Sequence, residues 1–479
     1  MPTGRPVAGQ FVAHDITADR SPLTHPAELA EVRNARSPRA NLEAVYADGP
    51  TGMPFLYDRD DPAKLLVGRN DAGRPADLPR NPQGVALVGD PRNDVHLLMS
   101  QLHVAMLQLH NGLVDRLRGD GVAEPELFAE ARRAATWHYQ WVLPEDFLPR
   151  VTGEGLAGEL LAGGARHYRP APGAAFIPFE FADAAFRYGH SQIRDRYQVN
   201  RHAEPVPLLP DLLGFRPVPA ALAVDWSYLF DLPGRPPAQR AKRIDGRLAA
   251  SLIHLPQAVA GVGGGDYASL AIRDLQRGQG VGLPSGEALA RRLGVEPLTP
   301  EEVGLGPAGW RQETPLWFYL LKEAEHRGGA STWARSAAGW SARCWSASST
   351  PTARATGPSI PPGVPPCPPP RRDGSAWPTC WPSAARSPGR PPEPTGAAAR
   401  GRPVPGVAWP RCETSQRPPR PRPARTTSPP RRPGGLAGSW APTWPCSWSA
   451  GWPGWRRGRS PAGGCSPTPA SPGSRASRR

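Results

Sequence analysis

HLLMSQLHVAMLQLHNGLVDRL, residues 96–117, decides the fold class. Leu98, Leu102, Ala105, Met106, Leu109 and Leu113 recur every three or four positions, the spacing that puts side chains on one face of an α-helix. The pattern predicts a long helix with one buried stripe. Downstream, a second helix is expected over 125–142, with Pro144 and Pro149 ending it, because proline removes a backbone donor and clashes with the turn before it. Further helices are expected over 181–197, 239–252, 286–293 and 316–326. Alternating strand patterns are scarce, Pro-rich joints at 204–210 and 217–219 separate the helical pieces, and no internal repeat is evident. The body of the chain therefore reads as a mainly α domain with long loops.

Composition sets the limits of that body. From Ser331 to Arg479 the sequence holds no Lys, Phe, Tyr, Asn, His or Met, and its only Leu and Ile are Leu436 and Ile360. An ordinary core cannot form from such a segment. It carries 22 Arg against three acidic residues and 11 of the 16 Trp, together with all six Cys, which show no metal-ligand spacing. Residues 1–330 hold 35 basic and 39 acidic residues, so the whole-chain charge of +15 belongs to the tail.

Three readings fit 331–479: a disordered Pro/Arg/Trp-rich extension, a basic nucleic-acid arm, or translation in a shifted frame. Trp has a single codon, and reading one nucleotide earlier converts many such codons to Leu. With GC-rich codons, 332–352 and 375–382 then acquire apolar repeats of helical type, which favours a frameshift near 327–331. The chain is thus divided into a domain over 1–330 and a disordered, out-of-frame tail over 331–479. No apolar run approaches the roughly 20 residues needed to cross a bilayer. No nucleic-acid partner is expected of the body. As written the chain reads as cytoplasmic, or as secreted if residues upstream of Met1 are missing.

Chemistry-bearing residues come in short clusters. Gln10 and His14 lie one helical turn apart in Gln10-Phe11-Val12-Ala13-His14-Asp15. Next come Asp90-Pro91-Arg92-Asn93-Asp94, Ser100-Gln101-Leu102-His103 leading to His110-Asn111, Trp137-His138-Tyr139-Gln140-Trp141, and Phe186-Arg187-Tyr188-Gly189-His190. A lone histidine in such a segment is more often packed or solvated than functional, but the ordered set is distinctive. Together with Arg277-Gly278 and Gly282-Leu283-Pro284, it resembles the animal haem peroxidase family of the peroxidase–cyclooxygenase superfamily, bacterial members most of all.

The resemblance implies haem b between a distal His14 and a proximal His190. A neutral imidazole at His190 would be the axial iron ligand, leaving the opposite position open. His14, with an ordinary pKa of about 6.5, would move a proton between the two peroxide oxygens. Arg92 would stabilise negative charge on the departing oxygen, and Gln10 would position a distal water or halide. Arg187 and Arg277 belong to the implied cofactor-binding set. So does Asp274, at a position where the family usually holds Asn beside the proximal histidine. A carboxylate there would strengthen the imidazole's electron donation, although Asp274 also suits a plain helix surface.

Calcium is implied at Asp15 with Ser37, Arg39 (through its carbonyl), Asn41 and Glu43, since alternate oxygens in a bent loop suit that ion. The same residues suit a polar surface loop. Mammalian members esterify their haem through an Asp and a Glu at positions that here are Ala13 and Val95, so the haem is expected to be non-covalent.

The implied activity is reduction of hydrogen peroxide with oxidation of a small phenolic or halide donor, in response to oxidative stress. The alternatives are a haem fatty-acid dioxygenase of the same superfamily, an inactive truncated or frameshifted product, and a nucleic-acid-binding tail protein. Cyclooxygenases place a radical-forming Tyr where this chain has Arg187. Only nine residues precede Gln10, so a truncated N-terminus is expected, and the resemblance stops where the composition breaks.

Overall fold

A computed structural model describes residues 1–18, 32–163, 168, 170–171, 174–260 and 268–328. All of them belong to one compact unit, and the second unit lies wholly outside the described residues. The expected tail, its disorder and its reading frame therefore also fall outside them.

Seven helices of α type span eight or more residues among those described. They are α1 (Gly4–Ile16), α2 (Leu97–Gly119), α3 (Leu127–Val142), α4 (Glu154–Gly163), α5 (Leu270–Gly280), α6 (Gly286–Leu293) and α7 (Leu316–Arg327). Among the described residues the strand content is one antiparallel pair, β1 (Arg196–Tyr197) and β2 (Val206–Pro207), with Arg196 opposite Pro207. The fold is mainly helical, as the spacing of apolar residues predicts.

α2 runs through the core. His96 caps it, its Nδ1 accepting the Met99 N–H at 3.2 Å, a job more often done by Ser or Asp. Its first turns are buried on every side, from Leu97 to Leu107, whereas Leu109 and Leu113 are only half-buried. The single stripe expected from the sequence is thus correct at its centre and too narrow at the start, because α1 and α3 both pack on this helix.

The N-terminus is tied down by backbone pairing. The N–H groups of Thr3 and Gly4 would be unpartnered in an isolated helix. They donate to the carbonyls of Gln239 and Leu229 at 2.9 and 2.8 Å, and Ala241 N donates to Met1 O at 3.0 Å. This pairing explains why 239–252 is not the helix its composition suggests. Residues 239–241 run alongside residues 1–4, and only Ala250–Ile253 is helical. Gly4 is required here, since a Cβ would lie 2.5 Å from the Phe230 ring.

Two further expectations fail for physical reasons. Pro144 does not end the second helix. The backbone widens to a π-turn over Leu143–Phe147, which absorbs the missing proline donor, and continues as Leu148–Thr152 until Gly153 at φ +89°. Continuation delivers Asp146 to a buried ion pair with Arg5 of α1, and Phe147 to 3.3 Å from a Cβ built on Gly9. Likewise 181–197 is not one helix: Phe179–Ala182 is α, Ala185–Gln192 is 3₁₀, and β1 follows.

Candidate active site

α1 and the 3₁₀ segment Ala185–Gln192 pack against each other, so the elements carrying His14 and His190 are neighbours although the residues are far apart in sequence. Tyr188 brings its hydroxyl to 3.8 Å from a Cβ built on Gly9, one residue before Gln10.

On the α1 side, His14 is buried at 9 % exposure. Its Nδ1 donates to Asn93 Oδ1 at 2.7 Å, which leaves Nε2 with a free lone pair. Burial, then the nearby Arg92 charge, pushes the His14 pKa down to about 3. The imidazole is therefore neutral and proton-accepting throughout the physiological range, unlike the unshifted histidine expected from sequence. Asn93 in turn donates through Nδ2 to His103 Nδ1 at 2.8 Å. Gln10 is oriented from the side, its Oε1 accepting His96 Nε2–H at 2.8 Å. Asn93, His96 and His103 thus support the pair, a role the sequence did not reveal. The available signal was their polarity on a helix and turn otherwise devoted to burial.

Arg92 is held by three groups. Its Nε and Nη2 bond the two oxygens of Asp90 at 3.0 and 2.7 Å, and Nη2 also donates to the carbonyls of Thr17 and His14 at 2.7 and 3.1 Å. Asp90 also accepts from Arg36 at 2.7 Å and caps its own turn through Arg92 N at 3.0 Å. Burial alone would raise the Asp90 carboxyl; the bond and charge of Arg92, with His14 and Arg36, outweigh it and hold the group well below its usual range.

The opposite side is a line of alternating charge. His190 Nδ1 donates to Asp274 Oδ2 at 2.6 Å, so Nε2 is the nitrogen left to face a ligand. Arg187 spans two carboxylates, giving Nη1 to Asp274 at 2.8 Å and Nη2 to Asp183 at 2.7 Å, and Arg277 Nε reaches Asp183 at 3.1 Å. Asp274 is fully buried, not on a helix surface. The local conformation makes this possible: at three residues per turn, positions i and i+3 eclipse, so Arg187 and His190 share a face and both meet Asp274 of α5.

A cavity of about 430 Å³ opens beside Arg92 and Arg187, and Gln10, His14, His190 and Asp274 are not among the residues that line it. Thr17, Ala18 and Arg92 line it from one side, Asp183, Arg187 and Arg277 from the other, with Phe176, Ile177 and Phe179 adding apolar wall. Five arginines face it (Arg33, Arg36, Arg92, Arg187 and Arg277) against the single carboxylate of Asp183. The residue types suit haem b, an imidazole backed by a carboxylate at His190 and, next to it, a cationic cavity lining able to pair with carboxylates, while the imidazoles themselves lie behind that lining.

The residues expected to hold calcium lie together around one loop. Asp15, fully buried, accepts the Leu42 and Ala44 N–H groups at 3.0 and 3.1 Å, and burial pushes its pKa up to about 6. Glu43 accepts Ser37 N at 3.1 Å and faces Arg36 at 3.5 Å; Asn41 Oδ1 accepts Glu43 N at 3.3 Å, and Arg39 O accepts Asn41 N at 2.9 Å. Among the described residues no three His, Cys, Asp or Glu side chains converge on one point.

The remaining motifs are structural. Asn111 exchanges two bonds with the Leu65 backbone at 2.8 Å, His110 donates to Ala63 O at 2.8 Å, and Gln140 donates to Ala40 O at 3.0 Å.

The sequence model of the animal haem peroxidase family matches residues 48–301. The chain belongs to that family. Arg92, Arg187, His190, Asp274 and Arg277 lie inside the matched region, whereas Gln10, His14 and Asp15 precede it. Among curated proteins it is similar to the probable oxidoreductase PXDNL of Homo sapiens, 28% identical over 173 residues, which are 35% of this chain and 11% of that protein. The chain thus spans about a tenth of that relative's length.

Among solved structures, peroxidase A of Dictyostelium discoideum aligns with TM-score 0.54 and 16% identity over 73% of this chain and 78% of that one. The fatty acid alpha-dioxygenase of Oryza sativa aligns with TM-score 0.52 and 17% identity, over 72% and 68%. At such identities the likeness is one of fold. Among the described residues no helix is long and apolar enough to cross a membrane.

Proposed function

We propose that this family member is a haem-dependent peroxidase that reduces hydrogen peroxide and oxidises a small phenolic or halide donor in response to oxidative stress. One observation carries the reading: two imidazoles on packed elements each have Nδ1 engaged, His14 by Asn93 and His190 by Asp274, which leaves Nε2 as the nitrogen each can offer.

Haem b, when bound, would supply the iron through which the two oxidising equivalents of hydrogen peroxide pass to the donor, the peroxide ending as water. His190 would hold it through Nε2, with Asp274 fixing the ring and adding to its basicity. His14 Nε2 accepts a proton from peroxide, and its low pKa makes the ring ready to pass that proton on. Arg92 lines the cavity with its guanidinium braced by Asp90, a fixed positive charge that would stabilise the departing peroxide oxygen. Ala13 and Val95 carry no group able to form an ester, so retention is non-covalent.

A titration of the full chain with haemin tests the proposal. A Soret band should appear in wild type and in His14→Ala but be lost or shifted in His190→Ala. Peroxide-driven donor oxidation should fall on the order of a hundredfold or more in His14→Ala. Absence of haem uptake by wild type, or undiminished oxidation in His14→Ala, would refute it.

A further inference from the structure

We infer that Asn93 and His103 are positioning residues that fix the tautomer of His14. This deepens the peroxidase reading and rests on it for its catalytic meaning. The geometry is a buried line of three side chains: His14 Nδ1, the Asn93 carboxamide and His103 Nδ1, joined at 2.7 and 2.8 Å. Asn93 is fully buried and His103 is 1 % exposed, so water does not offer either an easy substitute partner.

A carboxamide has one accepting and one donating end. Set between two Nδ1 atoms, it forces opposite tautomers on them. The ring facing Oδ1 must carry its proton on Nδ1, and the ring facing Nδ2 must carry its proton on Nε2. His14 faces Oδ1, so its Nε2 is bare and can act as a base. His103 faces Nδ2, so its Nδ1 is bare and it keeps the Asn93 oxygen turned toward His14. Were the carboxamide reversed, His14 would hold its proton on Nε2 and could not accept one there. His103 is itself held by packing, its ring edge-on to Phe11 of α1 with centroids 6.4 Å apart. The segment bearing Asn93 is fixed by the Asp90 cap and by Asn93 N donating to Asp90 O at 3.0 Å.

The test reads the tautomers directly, by ¹⁵N NMR of histidine side chains in the haem-free full chain at neutral pH, and so does not depend on peroxidase activity. Wild type should show His14 protonated at Nδ1 and His103 at Nε2. The reverse assignment, or the same tautomer at both, would overturn the inference even if the protein proves to be a peroxidase.

Two variants separate positioning from packing. In Asn93→Asp both rings face an acceptor, so His14 should keep its Nδ1 proton while His103 switches to Nδ1–H, and peroxide should still react with the haem-loaded chain. In His103→Leu the carboxamide is released. His14 should then become a mixture of tautomers, and the peroxide rate constant should fall in proportion to the fraction still protonated at Nδ1, with the Soret band retained. An unaltered His14 tautomer in His103→Leu would remove His103 from the proposal.

Discussion

Asp274 carries a buried negative charge where the resemblance leads one to expect an amide, and its two oxygens serve different masters. Oδ2 takes the His190 proton at 2.6 Å and Oδ1 takes Arg187 at 2.8 Å. Asp274→Asn has only one accepting oxygen for these two donors. The Fe(III)/Fe(II) potential of the haem-loaded chain should rise, because a neutral partner withdraws electron donation from the imidazole; spectroelectrochemical titration measures it. Stability should fall by about 1–3 kcal/mol as one buried donor loses its partner, read from denaturant midpoints. An unchanged potential would mean that His190 does not hold the iron or that Asp274 does not influence it. Ala13 and Val95 lead to a separate prediction, that acidic organic solvent will strip the haem completely and leave no chromophore on the chain. These positions were legible in the sequence as ordered motifs. Asn93 and His103 were quoted within those motifs without a role, and His96 only as the first residue of the helical stretch, because their significance lies in which nitrogen faces which neighbour, and spacing carries no information about that.

At the scale of elements, Asp90 joins pieces that have no sequence proximity. It caps the turn Pro91–Asp94, takes Arg92, which reaches the end of α1 through the Thr17 and His14 carbonyls, and takes Arg36 from the loop preceding Glu43. Asp90→Ala would leave two guanidiniums beside an empty site and remove the cap. A loss of about 3–5 kcal/mol is expected, the range for breaking a buried pair from one side. Asp90→Asn should lose less, since it can still cap the turn. Equal stability of Asp90→Ala and wild type would show that the pairs are not formed.

The helices with a clean apolar period, α2, α6 and α7, were readable because burial imposes that period directly. The segment bearing His190 was misread as one helix because its conformation is decided by partners elsewhere. Asp183 is claimed by Arg187 and Arg277, and Asp274 on α5 requires Arg187 and His190 to eclipse. Pro144 misled for a similar reason, since the π-turn around it is held by the contacts of Asp146 and Phe147 with α1.

Across the molecule the buried histidines give stability an acid limit. Burial, the largest cause in each case, pushes His14 down to about 3 and His96, His103 and His110 down to about 4. A histidine whose folded pKa lies below its unfolded value of about 6.5 binds its proton more readily when unfolded. Its contribution is fully present above about pH 6.5 and is lost as pH falls toward the folded pKa. At pH 5 each has given up roughly 2 kcal/mol, at about 1.4 kcal/mol per unit. Asp15 acts in the opposite direction: its carboxyl is raised to about 6 by burial, so acidification relieves a buried charge and returns about 1 kcal/mol over the same interval. Asp90 does not contribute there, because a depressed carboxyl loses its stabilisation only below its unfolded pKa. The net loss between pH 7 and pH 5 is on the order of 6 kcal/mol, comparable with the whole margin of a typical domain. Far-UV circular dichroism with denaturant titration of the full chain should therefore show unfolding midpoints falling steeply from pH 6.5 and helix lost near pH 5. His110→Asn, whose ring site bridges Tyr46 and Ala63 away from the cavity, should flatten that slope by about one quarter while lowering stability at neutral pH. A midpoint independent of pH across this window would mean that these imidazoles are reached by solvent, and the neutral proton acceptor inferred at His14 would lose its physical basis.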